Sequence, residues 1–375
     1  MVMRIGFDAK RALNNTTGLG NYARWLLNAL QAQYPQHEYF LYSPKAKSEL
    51  EARFIGAHQL ILPETLKAKL WPAYWRSVNL SDEWHYQKLS LFHGLSNEIP
   101  LHSHRQKTPT VVTIHDLIFL KHQAQYSFFD RQLYTLKTEY ACRYAAKIIA
   151  ISEETKQDII DFYKVPEHKI EVIYPAVDAS FAVQSPSVVS QVKQHYALPQ
   201  KYILNVGSFF ARKNQHTLIE AFSMIKDKVE EDLVLVGKSG NTLLELRKII
   251  YDQKLTERVK ILTSVSNEDL PAVYSGASLL AYPSLYEGFG MPVLEAQQCG
   301  VPVVATHSGA IAEVAGPHSL VIPPTSVEEI AEKMLMVLTN STLQEKMRAE
   351  GLAFSANFSL QSMAAKTMQL YQSIM

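Results

Sequence analysis

Tyr202-Ile-Leu-Asn-Val-Gly207 is a short, almost wholly apolar run that stops at a glycine, and the helical pattern of Gln215–Ile225 follows within a few residues. A strand buried on both faces reads this way, since it needs no polar alternation. The unit repeats downstream: Leu233–Val236, Val259–Leu262, Leu279–Tyr282, Val301–Val304 and Leu320–Ile322 are strand-like, with helical stretches between. An earlier series precedes it at Met3–Asp8, Tyr39–Tyr42, Leu89–Phe92, Val111–Ile114, Lys147–Ile151 and Glu171–Ile173. In the first of these units the strand leads through a glycine turn at Thr17–Gly20 into a helix ending near Leu30. Strands alternating with helices imply parallel sheets covered on both faces. The chain therefore reads as α/β, with two Rossmann-like, doubly wound domains facing an interdomain cleft. Between the series lies Tyr174–Gln200, with Pro175, Pro186, Pro199 and several serines, the composition of a connector. This places one domain at 1–180 and the next at 181–355, with a last helix over 356–375.

The 375-residue length supports two cores of ordinary size. Hydrophobic residues at 47% and charged residues at 19% exclude disordered, collagenous and disulfide-stapled classes. A net charge of +1 lacks the basic surplus that nucleic-acid binding requires. Residues 1–175 hold 21 Lys/Arg against 17 Asp/Glu and the remainder 16 against 19, so the first half is the one suited to an acidic acceptor or an anionic membrane surface. No signal-like run opens the chain and no stretch reaches about 18 apolar residues, so the expected location is cytoplasmic, with peripheral contact at the inner face of the cell membrane allowed. Cys142 and Cys299 fall in helical segments without a CxxC partner and are expected to be buried thiols. No metal site is expected, because no acidic DxD-type pair falls on a post-strand loop.

Chemistry concentrates after the strand Leu279–Tyr282, in Pro283-Ser-Leu-Tyr-Glu287-Gly-Phe-Gly-Met-Pro-Val-Leu-Glu295-Ala. Gly288 and Gly290 allow the backbone close to a ligand, and Pro292 suits a first helical turn. The helix start offers free N–H groups and a positive dipole to a phosphate. Glu295, one turn further, is placed to accept from a ribose diol, and Glu287 from sugar hydroxyls. After Tyr202–Gly207 comes Ser208-Phe-Phe-Ala-Arg212-Lys213-Asn214, whose adjacent cations suit a diphosphate. Gly18-Leu19-Gly20 is a turn after the first strand, and Val111-Val-Thr-Ile-His115-Asp116 ends a buried strand with two polar groups. The glycines alone require no more than a turn with positive φ, and no third glycine completes a dinucleotide fingerprint. Asp116 reads as satisfying nearby donors. The aromatic-basic segment Leu66–Leu80, with Lys67, Lys69, Trp71, Trp75 and Arg76, reads first as an amphipathic helix packing its tryptophans inward, with contact to acceptor or membrane as the alternative.

The string EGFGMPVLEA, with Glu-x7-Glu, strongly resembles the signature of the family-4 retaining glycosyltransferases, and the resemblance covers nearly the whole chain. It implies the GT-B fold and a nucleotide-sugar donor as co-substrate, with no further cofactor. Position by position, Glu287, Phe289, Gly290 and Met291 would hold the donor sugar and Glu295 the ribose. Pro292 has no N–H, so the family's phosphate contact would come from Met291 or Val293. Arg212 and Lys213 would clamp the diphosphate, with Ser208 standing where many members carry another Arg. Gly18, Leu19 and Gly20 would lie near the donor phosphates and acceptor, and Lys238 and Val265 on loops that touch nucleotide. His115 would orient the sugar and stabilise positive charge at the anomeric carbon without transferring a proton. The final helix, matched by Leu360–Ile374, would cross back to the first domain.

No carboxylate stands out as a nucleophile, which favours departure and attack on one face of the sugar, the leaving diphosphate taking the acceptor proton. The match is nearest to mannosyltransferases of bacterial polysaccharide assembly, implying GDP-mannose and a saccharide or lipid-linked saccharide acceptor. Three alternatives stay open: a UDP-sugar donor, a GT-B nucleotide-sugar epimerase, and a non-catalytic sugar-nucleotide-binding protein.

Overall fold

The computed structural model describes residues 2–45 and 58–375. These form two compact units, Met1–Ala176 together with Phe358–Met375, and Val177–Asn357.

The first unit is built on seven parallel strands: β1 (Arg4–Asp8), β2 (Glu38–Tyr42), β3 (Gln59–Ile61), β4 (Leu91–Gly94), β5 (Thr110–Ile114), β6 (Lys147–Ala150) and β7 (Ile170–Val172). Their order is 3-2-1-4-5-6-7. The second holds six: β8 (Tyr202–Val206), β9 (Asp232–Val236), β10 (Val259–Leu262), β11 (Leu279–Tyr282), β12 (Val303–Thr306) and β13 (Leu320–Ile322), in the order 10-9-8-11-12-13. All pairings are parallel. The central strands β5 and β11 are buried at every position, as TVVTI and LLAY with helices on both faces demand.

In each sheet the chain winds outward from one strand, then returns to that strand's other side. The reversals fall between β1 and β4 and between β8 and β11. At such switch points the loops beyond the carboxyl ends diverge and leave a crevice. The loops carrying Glu287, Arg212 and Lys213 leave β11 and β8, and those carrying Gly18–Gly20 and Glu98 leave β1 and β4.

The core of the first unit joins β1, the helix Gly18–Gln33 and the final helix Leu360–Gln372, through Met363, Ala364, Met368 and Tyr371. The second unit's core packs Leu218, Phe222 and Ile225 of one helix against Ile330, Met334 and Val337 of another, over β8 and β9. Cys142 and Cys299 are free and buried. No described helix is long and apolar enough to cross a membrane.

Two local expectations differ from the structure. Leu66–Leu80 is not one helix: it divides into Leu66–Leu70, Pro72–Tyr74 and a π-helical turn Trp75–Asn79. Pro72 supplies no N–H and bars helical geometry at Trp71, which adopts φ −127° and ψ 58°. The tryptophans consequently part, Trp75 being buried and Trp71 66% exposed. The glycines after β1 do not make a turn either. A short helix, Lys10–Asn14, intervenes, and Gly18 opens the next one with neither glycine at positive φ. Gly20 is required by space: a Cβ there would lie 1.9 Å from the Asn15 carbonyl oxygen, whereas one at Gly18 would meet nothing within 4 Å.

Candidate functional site

The β8–β11 crossing brings together Glu287, Arg212 and Lys213. Glu287 Oε1 accepts from Lys213 Nζ at 2.6 Å and from the Tyr282 hydroxyl at 3.0 Å, while Oε2 lies 2.7 Å from an Arg212 nitrogen. Ser284 donates its hydroxyl to the same Oε1, and Lys213 also donates to Tyr282 at 3.0 Å. The two loops are joined along their backbones as well. Leu285 N donates to the Arg212 carbonyl at 2.8 Å, and Asn214 Nδ2 donates to the carbonyls of Pro283 and Pro324. Gly207 lets the Lys213 stem approach to 3.3 Å of where a Cβ would stand.

Electrostatics follow from this packing. Burial alone would raise the Glu287 carboxyl, but Lys213 and Arg212 override it and hold it at about 2. Lys213 is shifted downward by burial, with Arg212 adding and Glu287 opposing. The cluster is thus an ionised carboxylate bridging two cations. It can re-partner with an incoming anion at little electrostatic cost, because the cations are already gathered.

Glu295 lies in the helix Met291–Gln298, buried beneath the same crossing. Burial raises its carboxyl to about 7, against a hydrogen bond from Tyr274 and the charge of Lys213. Gly290 caps the helix at φ 104° with no side-chain hydrogen bond. Val293 N already donates to the Gly290 carbonyl at 2.9 Å, and its side chain is fully buried. Of the two amides expected to meet phosphate, Met291 at the first helical position is therefore the one suited to a ligand. Phe289 is buried beside it.

Ser208, half-buried, follows β8, and its carbonyl accepts from Phe210 N at 2.9 Å. Lys238 is exposed on the loop after β9, where its carbonyl accepts from Phe209 N at 3.1 Å. Gly237 and Gly240 make this packing possible, since a Cβ at either would sit within 2.0 Å of a carbonyl on the Gly207–Phe209 loop. Val265 is half-buried on the loop after β10.

In the first unit His115 follows β5 and is buried. Asn97 clamps it: Asn97 Oδ1 accepts from His115 N at 2.8 Å while Nδ2 donates to the Asp116 carbonyl at 3.0 Å. His115 Nε2 donates to the Leu95 carbonyl at 2.8 Å, and the ring meets Tyr22 edge-on at 4.7 Å. Burial lowers its pKa to about 4, so the imidazole is neutral at pH 7. Asp116 Oδ1 accepts from Ile118 N. Gly18, Leu19 and Gly20 form the first turn of the helix Gly18–Gln33, the second helix after β1.

Several partners had no sequence signal. Tyr274 reaches Glu295 from a helix 21 residues upstream. Arg76 lies buried between Asp8 at the end of β1 and Glu98 after β4, and Lys137 donates to Glu98 at 2.8 Å. Ser284, three residues before Glu287, was open to detection as a local hydroxyl–carboxylate pair.

Comparison with known proteins matches residues 16–181 to the model described as Glycosyltransferase Family 4, and residues 190–353 to Glycosyl transferases group 1. O-antigen chain mannosyltransferase B of Escherichia coli is 31% identical over 286 residues, covering 75% of this chain and 74% of the relative. The serotype-specific mannosyltransferase WbdA, also of E. coli, is 31% identical over 72% of the chain, which spans about a third (34%) of that longer protein. Among solved structures, Anabaena Alr3699/HepE in complex with UDP and glucose superposes with a TM-score of 0.77 at 20% identity, covering 99% of this chain and 100% of that one. Fold and site together define a glycosyltransferase of the GT-B type. Within that class, the chain belongs to the family-4 glycosyltransferases.

Proposed function

We propose that this enzyme transfers mannose from GDP-mannose, with retention of anomeric configuration and without a metal ion, to a glycan or lipid-linked glycan. The Arg212–Glu287–Lys213 cluster at the β8–β11 crossing carries the reading. Two cations held by one carboxylate at a strand crossing suit a diphosphate, and the free helix amide at Met291 adds a donor. Glu295 takes the ribose diol. Glu287, released from part of its cation contact, takes sugar hydroxyls with the backbone of Phe289 and Gly290. Ser208, Lys238 and Val265 are assigned to the nucleotide.

In this mechanism the C–O bond to the diphosphate breaks with Arg212 and Lys213 stabilising the departing charge. The acceptor hydroxyl attacks the same face and gives its proton to the leaving diphosphate oxygen. His115, neutral and fixed through Nε2, orients the sugar and exchanges no proton. The mannosyltransferase relatives support the choice of sugar, and peripheral work at the inner membrane face fits a lipid-linked acceptor.

The test is transfer from GDP-mannose, UDP-glucose and UDP-galactose to mannose-terminated oligosaccharides in excess EDTA, with the product's anomeric signal read by NMR. An α-mannoside formed from GDP-mannose alone is expected. Transfer from UDP-sugars only, a β-product, an epimerised donor or dependence on added metal each overturns the corresponding part.

A further inference from the structure

A groove of about 550 Å³ opens at the carboxyl end of β3 in the first unit, within the range of small-ligand sites. Three large aromatic side chains line it while remaining open to solvent: Trp71 is 66% exposed, Tyr74 49% and Tyr86 72%. Flat rings kept in water are amphipathic platforms, apolar on the face and polar at the tip. Among the described residues of the lining, Glu64, Asp82 and Glu83 face a single cation, Lys67. This excess of carboxylates repels phosphate, nucleic acid and anionic lipid headgroups. It does suit a neutral polyol, whose hydroxyls donate to carboxylates while the C–H face of its ring lies on an aromatic plane.

The groove is held rigidly. Its floor, Trp75, is buried and donates its indole N–H to Glu83 at 2.6 Å. The next residue, Arg76, is tied to Asp8 and Glu98 at the carboxyl ends of β1 and β4. The groove is thus fixed to the carboxyl ends of β1 and β4, in the same sheet whose strand β5 leads into His115.

We propose that this groove binds a neutral oligosaccharide, a length of glycan chain lying away from the hydroxyl that reacts. The proposal rests on the reading of the acceptor as a saccharide, though not on the donor. Stacking on Trp71 and Tyr86 with hydroxyls on Glu64 and Asp82 makes the site favour long acceptors over short ones.

The test uses the full chain labelled with 5-fluorotryptophan, the Trp71 19F signal being assigned by its loss in Trp71→Phe. Linear α-linked mannopentaose, added without any nucleotide sugar, should shift the Trp71 signal saturably, and vesicles of phosphatidylglycerol should not. Trp71→Ala should weaken mannopentaose binding by about tenfold with the melting temperature unchanged, and Trp71→Phe should restore most of it. A silent Trp71 with mannopentaose, or a response to vesicles alone, overturns the groove assignment. Binding at Trp71 without mannosyl transfer would sink the enzymatic reading and leave the groove standing, whereas transfer with a silent Trp71 would do the reverse.

Discussion

The Tyr274 hydroxyl donates a 2.6 Å hydrogen bond to Oε2 of Glu295, and burial around the pair raises the Glu295 carboxyl to about 7. The folded chain therefore holds a proton that the unfolded chain releases near pH 4.5. Between those values stability falls as pH rises, by up to about 3 kcal/mol for this one group.

Glu295→Gln removes that loss while keeping an oxygen for Tyr274. Its melting temperature should match the parent at pH 5 and exceed it at pH 8. With Glu295 in its proposed role at the ribose, GDP should bind the parent more tightly as pH rises through 7 and bind the variant weakly at every pH. Calorimetry at three pH values checks both; a parallel pH response of the two proteins would refute the burial argument.

Glu287 works in the opposite sense. Its pKa is depressed to about 2, so its stabilising contribution is complete above pH 4.5 and is lost as pH falls toward 2. Glu287→Gln at pH 7 leaves Arg212 and Lys213 gathered without their counter-ion, a loss of about 3 kcal/mol. The gap from the parent should close on acidification. A diphosphate restores the missing charge, so GDP should raise the melting temperature of the variant more than that of the parent, while sugar transfer drops by about 100-fold or more.

What the sequence disclosed depended on distance along the chain. β8 and β11 were legible because strands buried on both faces are apolar throughout, and Glu287 and Glu295 because strand, turn and helix lie within one short string. The Arg76–Asp8 pair, 68 residues apart, and Tyr274 beneath Glu295 are products of sheet order and helix packing, which no local pattern encodes. Gly18–Gly20 looked like a turn because glycine permits positive φ, yet here Gly20 is needed for close approach to Asn15. Leu66–Leu80 looked helical by composition, but Pro72 outweighs amphipathic spacing.

The glycine pair separates these two uses of glycine. Gly20→Ala drives a methyl into the Asn15 carbonyl and should cost about 1–3 kcal/mol. Gly18→Ala enters open space in a helical turn and should be neutral or stabilise by up to about 1 kcal/mol. Chemical denaturation of the two variants gives the comparison, and equal losses would mean that space at Gly20 is not the constraint.

The last helix is held to the first sheet by a buried polar chain. His93 Nδ1 lies 2.6 Å from the Tyr371 hydroxyl and Nε2 2.8 Å from that of Thr113, which is 3.3 Å from Tyr22, whose ring meets His115. Burial, with His115 nearby, lowers the His93 pKa to about 3, so the chain is built on a neutral imidazole. Because the unfolded histidine gains its proton near pH 6.5, this site's contribution is complete above that pH and is lost steadily on acidification toward 3. Tyr371→Phe leaves one ring nitrogen without its partner and should cost about 1–3 kcal/mol at pH 7. Hydrogen exchange should then show the loss in the helix Leu360–Gln372 first, and the pH dependence below 6.5 should persist, since His93 remains buried. A variant with unchanged exchange in that helix would show that apolar packing by Met363 and Met368, and not the His93–Tyr371 contact, holds it in place.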